Sequence, residues 1–398
     1  MRYVKMIVLL CCFICCPVVL TGCRIAFWDT TQINNIEFIR AVGVDKADNG
    51  NIRFTIATQR IISGGARGGS EQKQSEIVYS EGRTSFEAMR NFWSYSEKRP
   101  FLGHLEFILI GEEAAKEGIL KYLDFFTRDA EVRLNLNVFV VKGNDAGEVI
   151  RQGNAQDKFV FDRLEGIKRH DWGLSIINDV NLMEIMYILD AKYLSLYIPC
   201  VRLLNRAETT EESRDGMEIA LEGFAVFDGD KVAGYLDKEM ARGLNFLKNK
   251  LKSGVVNVRS KNGTMVALEI ISGGSKMKPY IKDGELHIAV EVEMDSSIAE
   301  IQGPENIFSD DSLEYLEKQQ EQAIMDEVRK TIDFAQEKKL DFFGAGDAVL
   351  HKYPYEWEDF YEKDWRDVFS QVEFEITARS KISRTYDIKQ PIGAKDIR

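Results

Sequence analysis

The sequence has few of the side chains that carry chemistry. Its 398 residues include four histidines, His104, His170, His287 and His351, and none has a second histidine three or four positions on, as a helical metal site would. Beyond residue 23 a single cysteine remains, Cys200. Basic side chains number 52 against 64 acidic ones, so no excess of Lys and Arg is present to neutralise a phosphate backbone, and nucleic acid is excluded as a partner. No HExxH or G-x-S-x-G pattern occurs. A phosphate-cradling loop is excluded as well, because no Gly-Lys pair occurs and the Gly-rich stretch Ser63–Ser75 reads as a flexible loop. After residue 20 no apolar run approaches the roughly 18 residues of a membrane-crossing helix. The acid pairs Glu291/Glu293 and Glu373/Glu375 read as the solvated face of a sheet. His287 reads as a solvated imidazole on a polar strand face, and His104 as satisfying local backbone groups. No catalytic residue, metal ligand or cofactor is assigned.

What is present begins with a composition of 44% apolar and 29% charged residues, that of a folded protein. At roughly 100–200 residues per domain the length predicts two or three domains. Cys11, Cys12, Cys15, Cys16 and Cys23 crowd the start of the chain. Cys12 and Cys15 have C-x-x-C spacing, but they lie in the apolar run Met6–Leu20, broken only by Pro17 and preceded by Arg2 and Lys5. A basic segment followed by an apolar one of this length is the pattern of a secretory signal. It ends in Leu20-Thr21-Gly22-Cys23, which looks like a bacterial lipobox: small residues precede a cysteine whose thiol takes diacylglycerol and becomes the first residue after cleavage. The expectation is a signal peptide over residues 1–22 and lipid attachment at Cys23. Removal of that peptide, with its two basic residues, leaves 376 residues and moves the net charge from −12 to −14. Two or more acyl chains anchor stably, whereas an acidic body gains nothing from anionic headgroups. Docking at the membrane then requires a protein partner. Cys200, in the apolar stretch Leu194–Leu204, is expected as a buried, inert thiol.

Strand and helix patterns mix throughout, so the fold class is α+β with two to three domains. Strands are predicted at Ile36–Val44, Asn51–Ile61, Ile77–Ser80, Leu105–Ile110 and Val132–Val141. Helices are predicted at Ser85–Tyr95, Gly111–Thr127 and Asp179–Lys192. These make an N-terminal α+β domain over 23–206, followed by a polar linker at 207–216. A hairpin, Ile219–Phe227 with Lys231–Leu236, opens a small β-rich middle domain at 217–275. A C-terminal α+β domain at 276–385 carries a mainly antiparallel sheet packed with a long helix, which starts after Ser309 and runs to about Lys339. The aromatic run Tyr353–Trp365 places Trp357, Phe360, Tyr361 and Trp365 at helical spacing, either as core or as a surface facing a partner.

Several blocks, taken in order, resemble the Ger(x)C family, the lipoprotein C subunits of spore germinant receptors. They are Trp28-Asp29, Val42-Gly43-Val44-Asp45-Lys46, Ser80-Glu81-Gly82-Arg83-Thr84 with Phe86-Glu87-Ala88, Leu102-Gly103-His104-Leu105, Ile110-Gly111-Glu112 and Phe125–Leu134. In the second half they are Leu221–Phe227, Gly234–Glu239, Lys352-Tyr353-Pro354, Trp357, Trp365 and Phe369. The resemblance implies a non-enzymatic protein of three α+β domains at the extracytoplasmic face of the spore inner membrane. There it would work with the A and B membrane subunits of a nutrient receptor that starts germination. Only one functional residue is implied, Cys23. The rival expectation is a solute-binding lipoprotein of a transporter or sensor, which needs two α/β lobes around a cleft.

Overall fold

The computed structural model describes residues 35–62, 72–154, 159–170, 173–205 and 217–383. The signal segment, Cys23, the linker 207–216 and the tail beyond Ser383 lie outside the described residues.

Nine strands form the first sheet: β1 (Ile36–Lys46), β2 (Ile52–Ile62), β3 (Gln72–Gly82), β4 (Arg99–Phe101), β5 (Phe107–Ile110), β6 (Asn137–Val141), β7 (Tyr197–Asn205), β8 (Met217–Asp228) and β9 (Lys231–Leu236). Their order is β3-β2-β1-β5-β6-β7-β8-β9, with β4 pairing beside β1. The centre, β1-β5-β6-β7, is parallel, and antiparallel strands flank it on both sides. Parallel strands need crossover connections, and helices supply them: α1 (Ser85–Trp93), α2 (Glu112–Glu117), α3 (Leu120–Arg128), α4 (Ala146–Gly153), α5 (Val160–His170) and α6 (Leu182–Asp190). The central strands accordingly read as continuous apolar runs; Phe107, Ile108, Leu109 and Ile110 are all fully buried.

The second sheet has four strands in the order β10-β11-β12-β13: β10 (Gly254–Arg259), β11 (Met265–Lys282), β12 (Glu285–Ile301) and β13 (Glu373–Ser383). It is antiparallel except for the parallel β12–β13 edge. With it pack α7 (Lys238–Leu247), the long α8 (Asp310–Lys338), α9 (Ala345–Lys352) and α10 (Trp365–Phe369). In β12 the inner face is Leu286, Ile288, Val290, Val292 and Met294, all buried, as strict alternation requires. The apolar stripe of α8 is interrupted by Gln320, which is fully buried all the same. Its amide donates to Ser296 Oγ at 2.8 Å and accepts from Ser380 Oγ at 2.6 Å, so the polar break ties the helix to β12 and β13. Beside it on the same helix, Glu317 and Glu321 accept the backbone N–H groups of Ile382 and Ser380. Side chains of α8 thereby satisfy donors along an edge strand that would otherwise be free to pair elsewhere.

Three expectations change. Residues 217–275, expected as a middle domain, form no sheet of their own: β8 and β9 extend the first sheet through β7, while β10 and β11 belong to the second. The boundary expected at 275/276 falls inside β11, because Ser272–Lys282, for all its glycines, pairs with β12 to the end of the strand. The single helix expected over Gly111–Thr127 is two. Gly118, at φ +130°, ends α2, and a side chain there would meet the Asp230 carboxylate, which accepts from Leu120 N.

Candidate functional site

Several of the sequence blocks named above lie at joints of the fold. Asp45, at the end of β1, is 2% exposed and accepts Ala146 N at 2.7 Å and Gly147 N at 2.8 Å. It therefore caps α4 from another element, where the helix's own Asp145 makes no side-chain cap. Burial pushes the Asp45 carboxyl up to about 6 even though the two N–H groups pull it down. Gly111 leaves room for this carboxylate, since a Cβ there would lie 2.0 Å from Asp45 Oδ1. Thr84 caps α1 by accepting Glu87 N at 3.1 Å, and Glu87 accepts Arg83 N at 2.9 Å, a local variant of the capping box. Glu131 accepts Leu102 N at 3.0 Å and pairs with Arg99.

The C-terminal block behaves alike. Asp341 is fully buried by its neighbours, and its carboxylate accepts Gly344 N, Ala345 N and Gly346 N at the start of α9 and Trp365 Nε1 at 3.1 Å. Trp365 packs on Trp357 and Phe369, and Trp357 meets Tyr193 edge-on. A π-helical turn, Trp357–Tyr361, turns Trp357 inward and leaves Phe360 70% exposed. The aromatic run is thus divided between core and surface.

An apolar groove of about 870 Å³ lies elsewhere, between α1, α3 and α6. Phe86, Leu120, Leu123, Phe125, Ile185 and Met186 line it. Of these Phe86, Leu120 and Met186 are exposed, as are Met183 and Tyr187 beside them on α6. The stripe that marks α6 in the sequence is only half core: Leu182 and Ile185 are buried, while Met186 and Leu189 face the groove. The charges at its rim are mostly paired, Lys121 with Glu117 and Arg128 with Asp124. Apolar side chains gathered in one place on a surface mark a contact site. Sequence periodicity could not reveal this one, since three separate helices build it.

The remaining candidates are placed as follows. Cys23 lies outside the described residues. Cys200 is fully buried, and burial drives its thiol pKa far up, so it stays unreactive. His104 is exposed and meets Phe38 edge-on at 4.9 Å. His287, expected to be solvated, is 7% exposed beneath the ring of Tyr280. Glu373 and Glu375 are exposed, as a solvated face requires. No helix among the described residues is long and apolar enough to cross a membrane.

Comparison with known proteins agrees with this architecture. Residues 29–203 match the family described as Spore germination protein N-terminal domain, and residues 222–386 match Spore germination B3/GerAC like, C-terminal. Spore germination protein KC of Bacillus subtilis (strain 168) is 25% identical over 394 residues, covering 94% of this chain and 95% of the relative. Spore germination protein A3 of the same organism is 25% identical over 380 residues, covering 92% and 94%. In the crystal structure of the GerBC protein the fold recurs with a TM-score of 0.56 at 20% identity, over 89% of this chain and 99% of that one. The α+β architecture and both family matches, which together span nearly all the described residues, establish that the chain belongs to the Ger(x)C family of spore germination proteins.

Proposed function

We propose that the protein is the lipid-anchored C subunit of a nutrient germinant receptor, required to start spore germination and acting through contacts with the A and B membrane subunits rather than by catalysis. The observation that carries this reading is the pair of family matches over 29–203 and 222–386 behind a lipobox ending at Cys23. Cleavage after residue 22 and acylation of Cys23 would hold the body at the extracytoplasmic face of the spore inner membrane. The groove between α1, α3 and α6 is the surface offered to a membrane subunit, and its occupant is an apolar segment of that subunit. Its apolar lining and paired rim charges suit a neutral peptide, and they give anionic lipid headgroups nothing to bind. Photo-crosslinking from position 186 in intact spore membranes tests this: adducts with the A or B subunit are expected, and their absence alongside adducts from another face would move the docking site.

The rival solute-binding reading has no such support. It needs two α/β lobes around a cleft, whereas the described residues form one mixed sheet and one mainly antiparallel sheet joined by β8, β9 and α7.

A further inference from the structure

We propose that His287, Glu373 and Glu375 form a binding site for a divalent transition-metal ion of zinc type, on the face of the second sheet opposite its apolar core. The strand register builds it. Tyr280 of β11 pairs with His287 of β12, and His287 pairs with Glu373 of β13. The three side chains therefore stand in a row across the sheet. Glu375 follows two residues along β13 and so shares the face of Glu373.

Ligand atoms of the histidine and both glutamates lie within 4.8 Å of one another. His287 Nδ1 lies 3.3 Å from Glu373 Oε2. That is the edge of a tetrahedron whose centre is about 2.0–2.1 Å from each ligand, the zinc–nitrogen and zinc–oxygen distance. The second observation is the state of the imidazole. Its side chain is 9% exposed, and Nδ1 is buried with no hydrogen bond of acceptable geometry. A buried ring nitrogen without a hydrogen bond is costly, and a metal ion at that point would use its lone pair.

The surroundings match those of metal ligands. Tyr280 stacks on the imidazole with centroids 5.2 Å apart and rings 16° from parallel, which fixes the ring plane. The same tyrosine donates its hydroxyl to Glu375 Oε1 at 2.5 Å, which orients that carboxylate. Ligands held by such outer contacts are characteristic of protein metal sites. One imidazole and two carboxylates make a borderline donor set suited to Zn²⁺, Co²⁺ or Mn²⁺. Water would complete the shell on the open side, where Glu373 is exposed. The ion would staple β13, an edge strand held otherwise by its parallel ladder and α8, to the middle of the sheet.

The test is Zn²⁺ titration of the full chain in detergent against a chromophoric chelator, in parallel with H287Q, E373Q and E375Q. Every other group that could take the ion is common to all four proteins, so the difference reports this site alone. The proposal expects the wild type to bind one more equivalent than H287Q, and E373Q and E375Q to bind at least about tenfold more weakly. Zn²⁺ should also raise the melting temperature of the wild type more than that of E375Q, whose exposed side chain leaves the metal-free fold intact. Equal stoichiometry and affinity in all four proteins would overturn the proposal.

Discussion

Tyr235 donates its hydroxyl to Glu112 Oε1 at 2.9 Å, joining β9 to the start of α2 across 123 positions of sequence. The other oxygen of Glu112 accepts Gly143 N at 3.0 Å, and Lys142 lies over the Tyr235 ring. One carboxylate thus holds together α2, the turn after β6, and the hairpin that opens the C-terminal family region. Y235F keeps the ring and removes the donor, so it should cost about 1–2 kcal/mol in chemical denaturation, the range for a half-buried bond to a charged group. A loss indistinguishable from zero would mean that this contact does not couple the two regions.

Asp45 makes a pH-dependent contribution whose sign follows from its environment. Its native carboxyl titrates at about 6 against 3.8 for the free side chain, so between those values the native state holds a proton that the unfolded state has lost. The stability it adds is fully present below about pH 4 and disappears as pH rises through 6, a difference of up to about 3 kcal/mol. Set against the wild type, D45N should lack this fall between pH 4 and 6. Parallel slopes for the two proteins would contradict the assignment.

The buried amide of Gln320 makes a different kind of claim. Q320L matches the apolar stripe of α8 but strands the hydroxyls of Ser296 and Ser380. The expected result is a loss of about 1–3 kcal/mol, with partial recovery in the triple variant Q320L/S296A/S380A. Greater stability in Q320L alone would show that the polar tie is dispensable.

The groove makes a functional prediction. Leu120 and Met186 are exposed, so L120E/M186E should change the stability of the isolated protein by no more than about 1 kcal/mol. The same pair should abolish crosslinks to the membrane subunits and slow germination in response to nutrients. Normal germination with this variant in place would remove the groove from the docking surface.

The sequence made some of this legible, and the reasons are local. Ser309, the cap of α8, stands where a capping residue precedes an apolar pattern, and the helix begins there. Leu286, Ile288, Val290, Val292 and Met294 alternate with His287, Ala289, Glu291 and Glu293 in the sequence, and they form the inner face of β12. The errors arose where distant residues decide. Gly118 breaks a helical pattern because Asp230 occupies the space beside it. The boundary placed at 275/276 falls within a strand because β12 pairs with β11 through Lys282. His287 occupies a polar strand position, yet the ring of Tyr280 on the neighbouring strand buries it. Pattern could place Glu373 and Glu375 on one face, but only the register sets them beside that imidazole.

The central claim is a body held at the membrane by lipid on Cys23 in order to meet its receptor partners. The most direct measurement is fractionation of spores carrying C23A, with germination followed in the same preparation. The account predicts that the protein leaves the inner-membrane fraction and that nutrient-triggered germination is impaired. A C23A protein that stays in the membrane fraction, in spores that germinate at the normal rate, would contradict it.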